Sequence, residues 1–351
     1  MEEISPNGNT AADSSACLGC GNPNSESGYA TKLCTDCRNK YSKYPIPKWI
    51  LFFASVVGVL VLSGFANIYK PLMASIHLTR SIKAQQSRKY KTAAAEIDKT
   101  LALYPESVEA NARAIIYYYN IPDPQKMGRY YLKIEHKHSE DKKLITEVKE
   151  ALDGYAQFIP KDTALISKVQ SLPLDSTAAF EEVMRNYLAH DSLDMAATSL
   201  FADRLYDMKQ YERAETLLSH ALVFRPDYYP AQILLCSTKR QLGKYDEALK
   251  ICDKLLELNL ENTAVISQKA RIELKRKNDA AAARYVKQAM DIDKNDINVL
   301  ETLAMLDYYS NKMAESQKLL AQIKTIEQQD QYGDFVSIRL QNFLSGKDPF
   351  R

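Results

Sequence analysis

The sequence predicts an all-α protein: a helical solenoid preceded by a small metal-binding module and one transmembrane helix. Three observations support this fold class. Only 11 of the 351 residues are glycine, residues 49–69 contain no charged side chain, and small residues recur at a fixed interval in the C-terminal half. Rossmann, P-loop and β-sandwich folds need glycine for tight turns and for close approach to phosphate. The composition therefore disfavours an α/β enzyme and favours stacked helices.

Four cysteines near the N-terminus predict a structural zinc site. They form two CxxC pairs and are Cys17, Cys20, Cys34 and Cys37. Four thiolates complete a tetrahedral site and leave no open position for catalysis. A segment this short cannot build a hydrophobic core, so the metal would supply its folding energy. Two disulfides or four free thiols are the alternatives.

The cysteine module, residues 17–40, resembles the zinc ribbons found at the N-termini of many bacterial membrane proteins. We expect a disordered tail at residues 1–16 and a linker at residues 41–48. That resemblance implies a structural Zn²⁺ ion but does not identify a ligand for the module.

Residues 49–69 predict a single helix that spans a lipid bilayer. A helix of that length is about 31 Å long, which matches the hydrocarbon layer. Trp49 and Tyr69 suit the two interfaces, and Lys48 and Lys70 flank them. The run lies too far into the chain and is too long for a signal peptide. Pro71 predicts a break or kink just beyond the membrane.

The orientation of this span follows mainly from the cysteines. Basic residues within about 15 positions of the span give only a weak positive-inside bias toward the N-terminal side. Zinc thiolates persist in reducing compartments. We therefore expect a single-pass protein of a bacterial inner or cell membrane, with its N-terminus in the cytoplasm and its solenoid extracytoplasmic. The chain has no N-x-S/T sequon, which fits a bacterial source.

The C-terminal half contains a repeat of 34 residues that aligns without gaps. The repeated small residues are Ala214, Ala248, Ala282 and Ser316. Twelve positions before them stand Ala202, Cys236, Ala270 and Ala304. Small residues at matched points let two helices approach closely. This pattern, with Tyr211 and Tyr245 three positions before the first two alanines, resembles the tetratricopeptide repeat (TPR), a 34-residue helix–turn–helix unit.

The resemblance assigns TPR-like repeats to residues 191–344 and degenerate helical repeats to residues 70–190, followed by a tail at 345–351. A further copy of the repeat lies at residues 88–106. Between it and the regular repeats, amphipathic segments predict helices at 109–120, 124–137, 140–157, 162–170 and 176–190. The third and fourth repeats depart from the family because Asp279 and Met313 replace the tyrosine.

In the family, the first helix of each repeat lines a concave face that binds peptides. Carried over to this chain, that face presents Tyr206, Arg240, Arg271, Lys275, Tyr308 and Tyr309. Tyrosine and arginine are typical of binding hot spots. The resemblance therefore implies a membrane-anchored, non-catalytic scaffold that binds a peptide or a partner protein.

An alternative function is signal transmission, in which the solenoid is coupled to a zinc ribbon that binds a cytoplasmic partner or nucleic acid. Nucleic acid is disfavoured because residues 1–48 balance five basic against five acidic residues, and the net charge of the whole chain is only +2. An enzyme is also disfavoured, since the five histidines share no ligand spacing and no catalytic motif is present.

Cys236 and Cys252 fall at core positions of one repeat. They act either as small apolar residues or, in an extracytoplasmic domain, as a disulfide.

Overall fold

The computed structural model describes residues 16–43, 46–137, 140–172, 176–191, 193–330 and 333–351. The predicted disordered tail at 1–16 lies outside these residues except for its last position. Within the described part of the chain every regular element is a helix, which confirms the predicted all-α class. The chain divides into two compact units, Met1–Pro71 and Leu72–Arg351.

The first two helices of the described residues are α1 (Thr35–Lys43) and α2 (Lys48–Gln86). Helix α2 has 39 residues, and by length and composition its apolar part is sufficient to cross a membrane. No residue of that apolar window is buried within the protein.

Of the predicted break or kink at Pro71, the break does not occur, because helix α2 continues through this residue. Proline removes one backbone hydrogen bond from a helix. The residues that follow pack into the second unit, because Ala74, Ser81 and Ala84 form a buried stripe at helical spacing. Tertiary packing of this kind supports a helix beyond a residue of low helix propensity.

Six helices occupy the region predicted to hold degenerate repeats. They are α3 (Tyr90–Leu103), α4 (Val108–Asn120), α5 (Pro124–Ile134), α6 (Lys142–Ala156), α7 (Thr163–Gln170) and α8 (Thr177–His190). The side chains of Ser107, Asp123, Asp141 and Asp162 cap the N-termini of α4 to α7. Such caps satisfy backbone N–H groups that would otherwise lack a partner.

The regular repeats form four helix pairs and a closing helix. The pairs are α9 (Met195–Asp207) with α10 (Tyr211–Phe224), α11 (Tyr229–Gln241) with α12 (Tyr245–Leu258), α13 (Thr263–Lys275) with α14 (Asp279–Ile292), and α15 (Ile297–Tyr309) with α16 (Met313–Asp330). Helix α17 (Phe335–Leu344) follows them. All eight small residues of the 34-residue pattern are fully buried. In the last pair, the Ser316 hydroxyl donates to the carbonyl oxygen of Ala304 at 2.9 Å, so the two helices meet at these positions.

The turns inside the four pairs share one backbone conformation. Lys209, Gly243, Lys277 and Asn311, each 34 residues from the next, have φ of 60°, 74°, 62° and 59°. This left-handed region favours glycine because a Cβ atom is crowded there. Gly243 meets that preference and asparagine tolerates this region at Asn311, so the turns at Lys209 and Lys277 are the ones held by helix pairing despite a local strain.

The beginning of the solenoid contacts the turns between its later repeats. The ammonium group of Lys91 lies 2.7 Å from a carboxylate oxygen of Asp293 and 3.0 Å from one of Asp296. The Thr92 hydroxyl donates to Glu261 at 2.7 Å. These contacts join residues that are about 170 to 200 positions apart in sequence.

Candidate functional site

The four predicted metal ligands lie together in the first unit. The Sγ atoms of Cys17, Cys20, Cys34 and Cys37 are all within 4.8 Å of one another. The Cys20 and Cys34 sulfurs are 3.6 Å apart. A tetrahedral zinc site with Zn–S bonds of about 2.3 Å places its sulfurs about 3.8 Å apart. The donor set and its spacing therefore fit a metal ion held by four thiolates.

Local backbone structure brings the two cysteine pairs together. Backbone bonds from Gly21 N to Cys17 O (2.8 Å) and from Leu18 N to Lys32 O (2.9 Å) fold the first pair against the second. Helix α1 begins at Thr35, directly after the third cysteine. A Cβ atom at Gly19 would lie only 3.1 Å from the Cys37 sulfur, so the close approach of this turn favours glycine.

The electrostatics of the cluster favour a thiolate at one position. The backbone N–H of Cys34 lowers the pKa of the Cys17 thiol to about 6. The neighbouring Cys20 and Cys34 sulfurs raise the pKa of Cys37 to about 12. A bound cation reverses the second effect, since thiols that coordinate a metal are deprotonated.

Arg38 fastens the loop between the two cysteine pairs to α1. Its guanidinium forms an ion pair with Glu26 and donates to the backbone oxygen of Thr31 at 3.0 Å. It also covers the ring of Tyr29 at 3.6 Å from the centroid. The loop is thereby held without a hydrophobic core of its own.

The predicted partner-binding residues lie on one face of the second unit. Helix α9 contacts α11, α11 contacts α13, α13 contacts α15, and α15 contacts α17. We call the surface shared by these five helices the A face. Tyr206 lies on α9, Arg240 on α11, Arg271 and Lys275 on α13, and Tyr308 and Tyr309 on α15.

Tyr206 and Arg240 form a hydrogen-bonded contact between helices of the A face. The Tyr206 hydroxyl accepts hydrogen bonds from Arg240 Nη2 at 3.2 Å and from Gln241 Nε2 at 3.1 Å. Arg240 also donates to Gln268 on α13, and the residue is buried. One guanidinium thus links three successive helices.

Arg271 is engaged inside the fold. Its Nη2 lies 2.6 Å from a carboxylate oxygen of Glu301, and its Nε donates to the Thr302 hydroxyl at 2.9 Å. Arg339 of α17 binds the same carboxylate at 2.6 and 2.7 Å. Burial lowers the pKa of Arg271 to about 10, whereas the two arginines lower the pKa of Glu301 in spite of its burial. This trio joins three helices of the A face.

Lys275 and Tyr309, together with Arg240, contact a segment that was expected to be a tail, whereas Tyr308 packs on α17. Phe350 lies between the guanidinium of Arg240, 5.3 Å from its ring centroid, and the ammonium group of Lys275, at 4.7 Å. Arg351 covers the Tyr309 ring at 3.8 Å. Tyr308 packs against Phe343 of α17 with ring centroids 4.7 Å apart. Arg240, Lys275 and Tyr309 therefore meet on one strip of the A face.

Sequence reasoning missed both the Glu301 trio and the segment after α17. Arg271 and Glu301 are 30 positions apart, and no local pattern marks them as partners. The only sequence signal of the segment is the aromatic–cationic pair Phe350-Arg351 in a short polar stretch.

The stacked helix pairs and the A face define a helical-repeat solenoid. Residues 205–272 match the tetratricopeptide repeat family, which confirms the predicted repeats in this part of the chain. No curated protein sequence matches the chain significantly.

Several solved structures are similar. A TPR protein from Parabacteroides merdae is 12% identical, with 78% of this chain and 99% of that chain covered at a TM-score of 0.45. A thermophilic TPR protein in Thermus thermophilus is 17% identical, with 51% and 96% covered at 0.41. A fragment of MamA from Desulfovibrio magneticus is 14% identical, with 47% and 94% covered at 0.36.

Proposed function

We propose that this chain is a membrane-anchored TPR scaffold whose A face binds an extended peptide of a partner protein without catalysing its conversion. One observation carries the proposal: Arg240, Lys275 and Tyr309, from three different helices, converge on a single strip of the A face. Cations and aromatic rings at such a strip bind side chains by cation–π contact and hydrogen bonding. Anchoring by helix α2 would raise the local concentration of the complex at a membrane.

The A face can be tested by site-specific photocrosslinking in cells. A photoreactive amino acid replaces Lys275 on the A face or, as the matched control, Lys287 on α14, which is exposed and lies outside that face. We expect a discrete crosslinked protein from position 275 and none from position 287. Equal adducts at both positions, or none at position 275, would contradict the proposed binding face.

We further propose that the four cysteines hold one Zn²⁺ ion with a structural role. The cluster's sulfur spacing and the close fit at Gly19 support a four-thiolate site. Elemental analysis of the purified chain should give one zinc per protein, and Co²⁺ substitution should give the absorption of a tetrahedral thiolate site. Cys34→Ser should abolish both signals, while Cys252→Ala should retain them. A zinc content unaffected by Cys34→Ser would refute the site.

The proposed topology places the cysteine module in the cytoplasm and residues 72–351 on the opposite side of a bacterial membrane. Thiolate chemistry supports the first location because reducing compartments preserve free thiolates. A cysteine introduced at the exposed position 287 should react with an impermeant maleimide in intact spheroplasts. Reaction only after lysis would reverse the proposed orientation.

A further inference from the structure

The chain folds back onto its own A face after helix α17. The backbone N–H groups of Lys347 and Asp348 both donate to the carbonyl oxygen of Asn342, at 3.0 and 3.2 Å. The reversal sends residues 347–351 past the turn that follows α9 and across α11, α13 and α15. We call these five residues the return segment.

Three side chains of the return segment contact three separate places on the solenoid. The carboxylate of Asp348 lies 2.9 Å from the Lys209 ammonium group. The Phe350 ring lies between the cationic ends of Arg240 and Lys275. Together, these contacts place an acid and an aromatic side chain, two positions apart, on complementary groups.

Arg351 makes the most extensive contact. Its guanidinium stacks on Tyr309, donates from Nε to the backbone oxygen of Leu274 at 2.7 Å and forms an ion pair with Asp279. Its backbone N–H donates to the Tyr309 hydroxyl at 3.1 Å. A planar guanidinium suits this combination of ring, carbonyl and carboxylate better than an ammonium group does.

The contacts of the return segment differ from those of the solenoid core. Residues 345–349 are exposed, whereas Phe350 is half-buried at the edge of a core cluster and the Arg351 side chain is 18% exposed. Beneath them Leu340, Phe343 and Leu344 are buried in a cluster whose other buried members come from helices α13 to α16. Exposed ion pairs and cation–π contacts contribute little individually. The segment can therefore leave the A face without opening the core, as an exchangeable ligand would.

We propose that the return segment is an internal competitor for the partner's site, and that the partner presents the same chemistry. That partner peptide is extended and carries an acidic residue, an aromatic residue two positions later and an arginine next to it. This inference rests on the proposed function, since it specifies which peptide the A face binds. A tethered segment at an effective concentration of the order of 1 mM, with an intrinsic Kd of about 100 μM, weakens a competing peptide about tenfold.

The test uses a fluorescein-labelled, C-terminally amidated peptide with the sequence of residues 345–351, Ser-Gly-Lys-Asp-Pro-Phe-Arg. Its binding to the full chain in detergent micelles is measured by fluorescence anisotropy. The proteins are the unaltered chain, the double variant Phe350→Ala/Arg351→Ala, and that double variant with Tyr309→Ala added. Thermal unfolding of each protein shows whether the fold is retained. A matched control peptide has alanine in place of phenylalanine and arginine.

We expect the double variant to bind the labelled peptide about tenfold more tightly than the unaltered chain does. Adding Tyr309→Ala should remove this gain. The control peptide should not bind measurably to the unaltered chain or to the double variant. Equal affinity of the unaltered chain and the double variant for the labelled peptide would overturn the proposal that the return segment competes for the site. Equal binding of both peptides, or no binding to a folded double variant, would overturn the proposed peptide chemistry. The crosslink at position 275 is a separate readout: its loss, and not the peptide result, would refute the binding face itself.

Discussion

Replacing Glu301 by glutamine should destabilise the solenoid strongly. Glu301 is 2% exposed, and its carboxylate is the shared partner of Arg271 and Arg339. Glu301→Gln keeps the shape but removes the charge, which leaves the buried Arg271 guanidinium uncompensated. Breaking a buried ion pair from one side costs about 3–5 kcal/mol. In a domain of this size the loss should lower the thermal midpoint by roughly 6–15 °C.

The midpoint can be measured by far-UV circular dichroism on a fragment of residues 72–351, which form a compact unit. Glu247→Gln is the matched control because the exposed Glu247 pairs with Lys239 at 2.7 Å, and Lys239 keeps Glu215 as a second partner. We expect no measurable shift for this control. The double variant Arg271→Met/Glu301→Met should recover most of the lost stability, since apolar side chains of similar volume replace a buried pair well.

The pH dependence gives a second check on the same residue. Burial opposes ionisation of Glu301, but Arg271 and Arg339 lower its pKa. A carboxyl group with a lowered pKa stabilises the fold above its unfolded pKa of about 4.3 and loses that contribution as the pH falls. The difference in free energy of unfolding between the unaltered chain and Glu301→Gln should stay constant from pH 7 to 5 and become smaller at lower pH. Two results would refute this reasoning. One is that Glu301→Gln lowers the free energy of unfolding by less than about 1 kcal/mol. The other is that the double variant Arg271→Met/Glu301→Met is no more stable than Glu301→Gln.

Three further predictions use the same fragment. Lys277→Gly should raise the free energy of unfolding by about 0.5–1 kcal/mol, because relief of the left-handed strain exceeds the added entropy of the unfolded chain; a lower value in denaturant titration would contradict the assigned turn. Ala282→Leu should lower the free energy of unfolding by about 1–3 kcal/mol, because leucine overfills the buried helix contact. Ala283→Leu, on the exposed side of α14, should leave it nearly unchanged. Equal effects of the two substitutions would count against the repeat register. Cys236 and Cys252 are fully buried, and their sulfurs are 3.1 Å apart. They should not react with a thiol reagent in the folded fragment, and both should react in denaturant without reductant. A reaction that requires reductant would instead establish a disulfide.

The repeats could be predicted from sequence because their determinants are local and periodic. Two helices can meet closely only at small residues, so Ala248 and Ala282 mark the same point of successive pairs. The cysteine cluster could be predicted for a similar reason, since a CxxC turn places two sulfurs side by side. Each of these patterns is contained within about 34 residues.

The features that sequence reasoning missed depend on contacts between distant residues or on strain overcome by them. Lys277 gives no sign of a left-handed turn, because lysine does not favour that conformation. Pro71 suggested a break or kink, yet the helix continues through it into residues that pack in the second unit. Arg271 was predicted to face a partner, yet the structure pairs it with Glu301, a choice that only the stacking of α13 on α15 reveals.

The ion pairs of Lys91 with Asp293 and Asp296 have a consequence for how this solenoid unfolds. In an open array of repeats, each unit touches only its neighbours, and the ends fray independently of the middle. Here the first repeat is fastened to turns about 200 positions later, so its departure exposes carboxylates in the interior of the array. A chain closed on itself in this way has no independent end at that side, and its early and late repeats are expected to lose protection from hydrogen exchange in one concerted step.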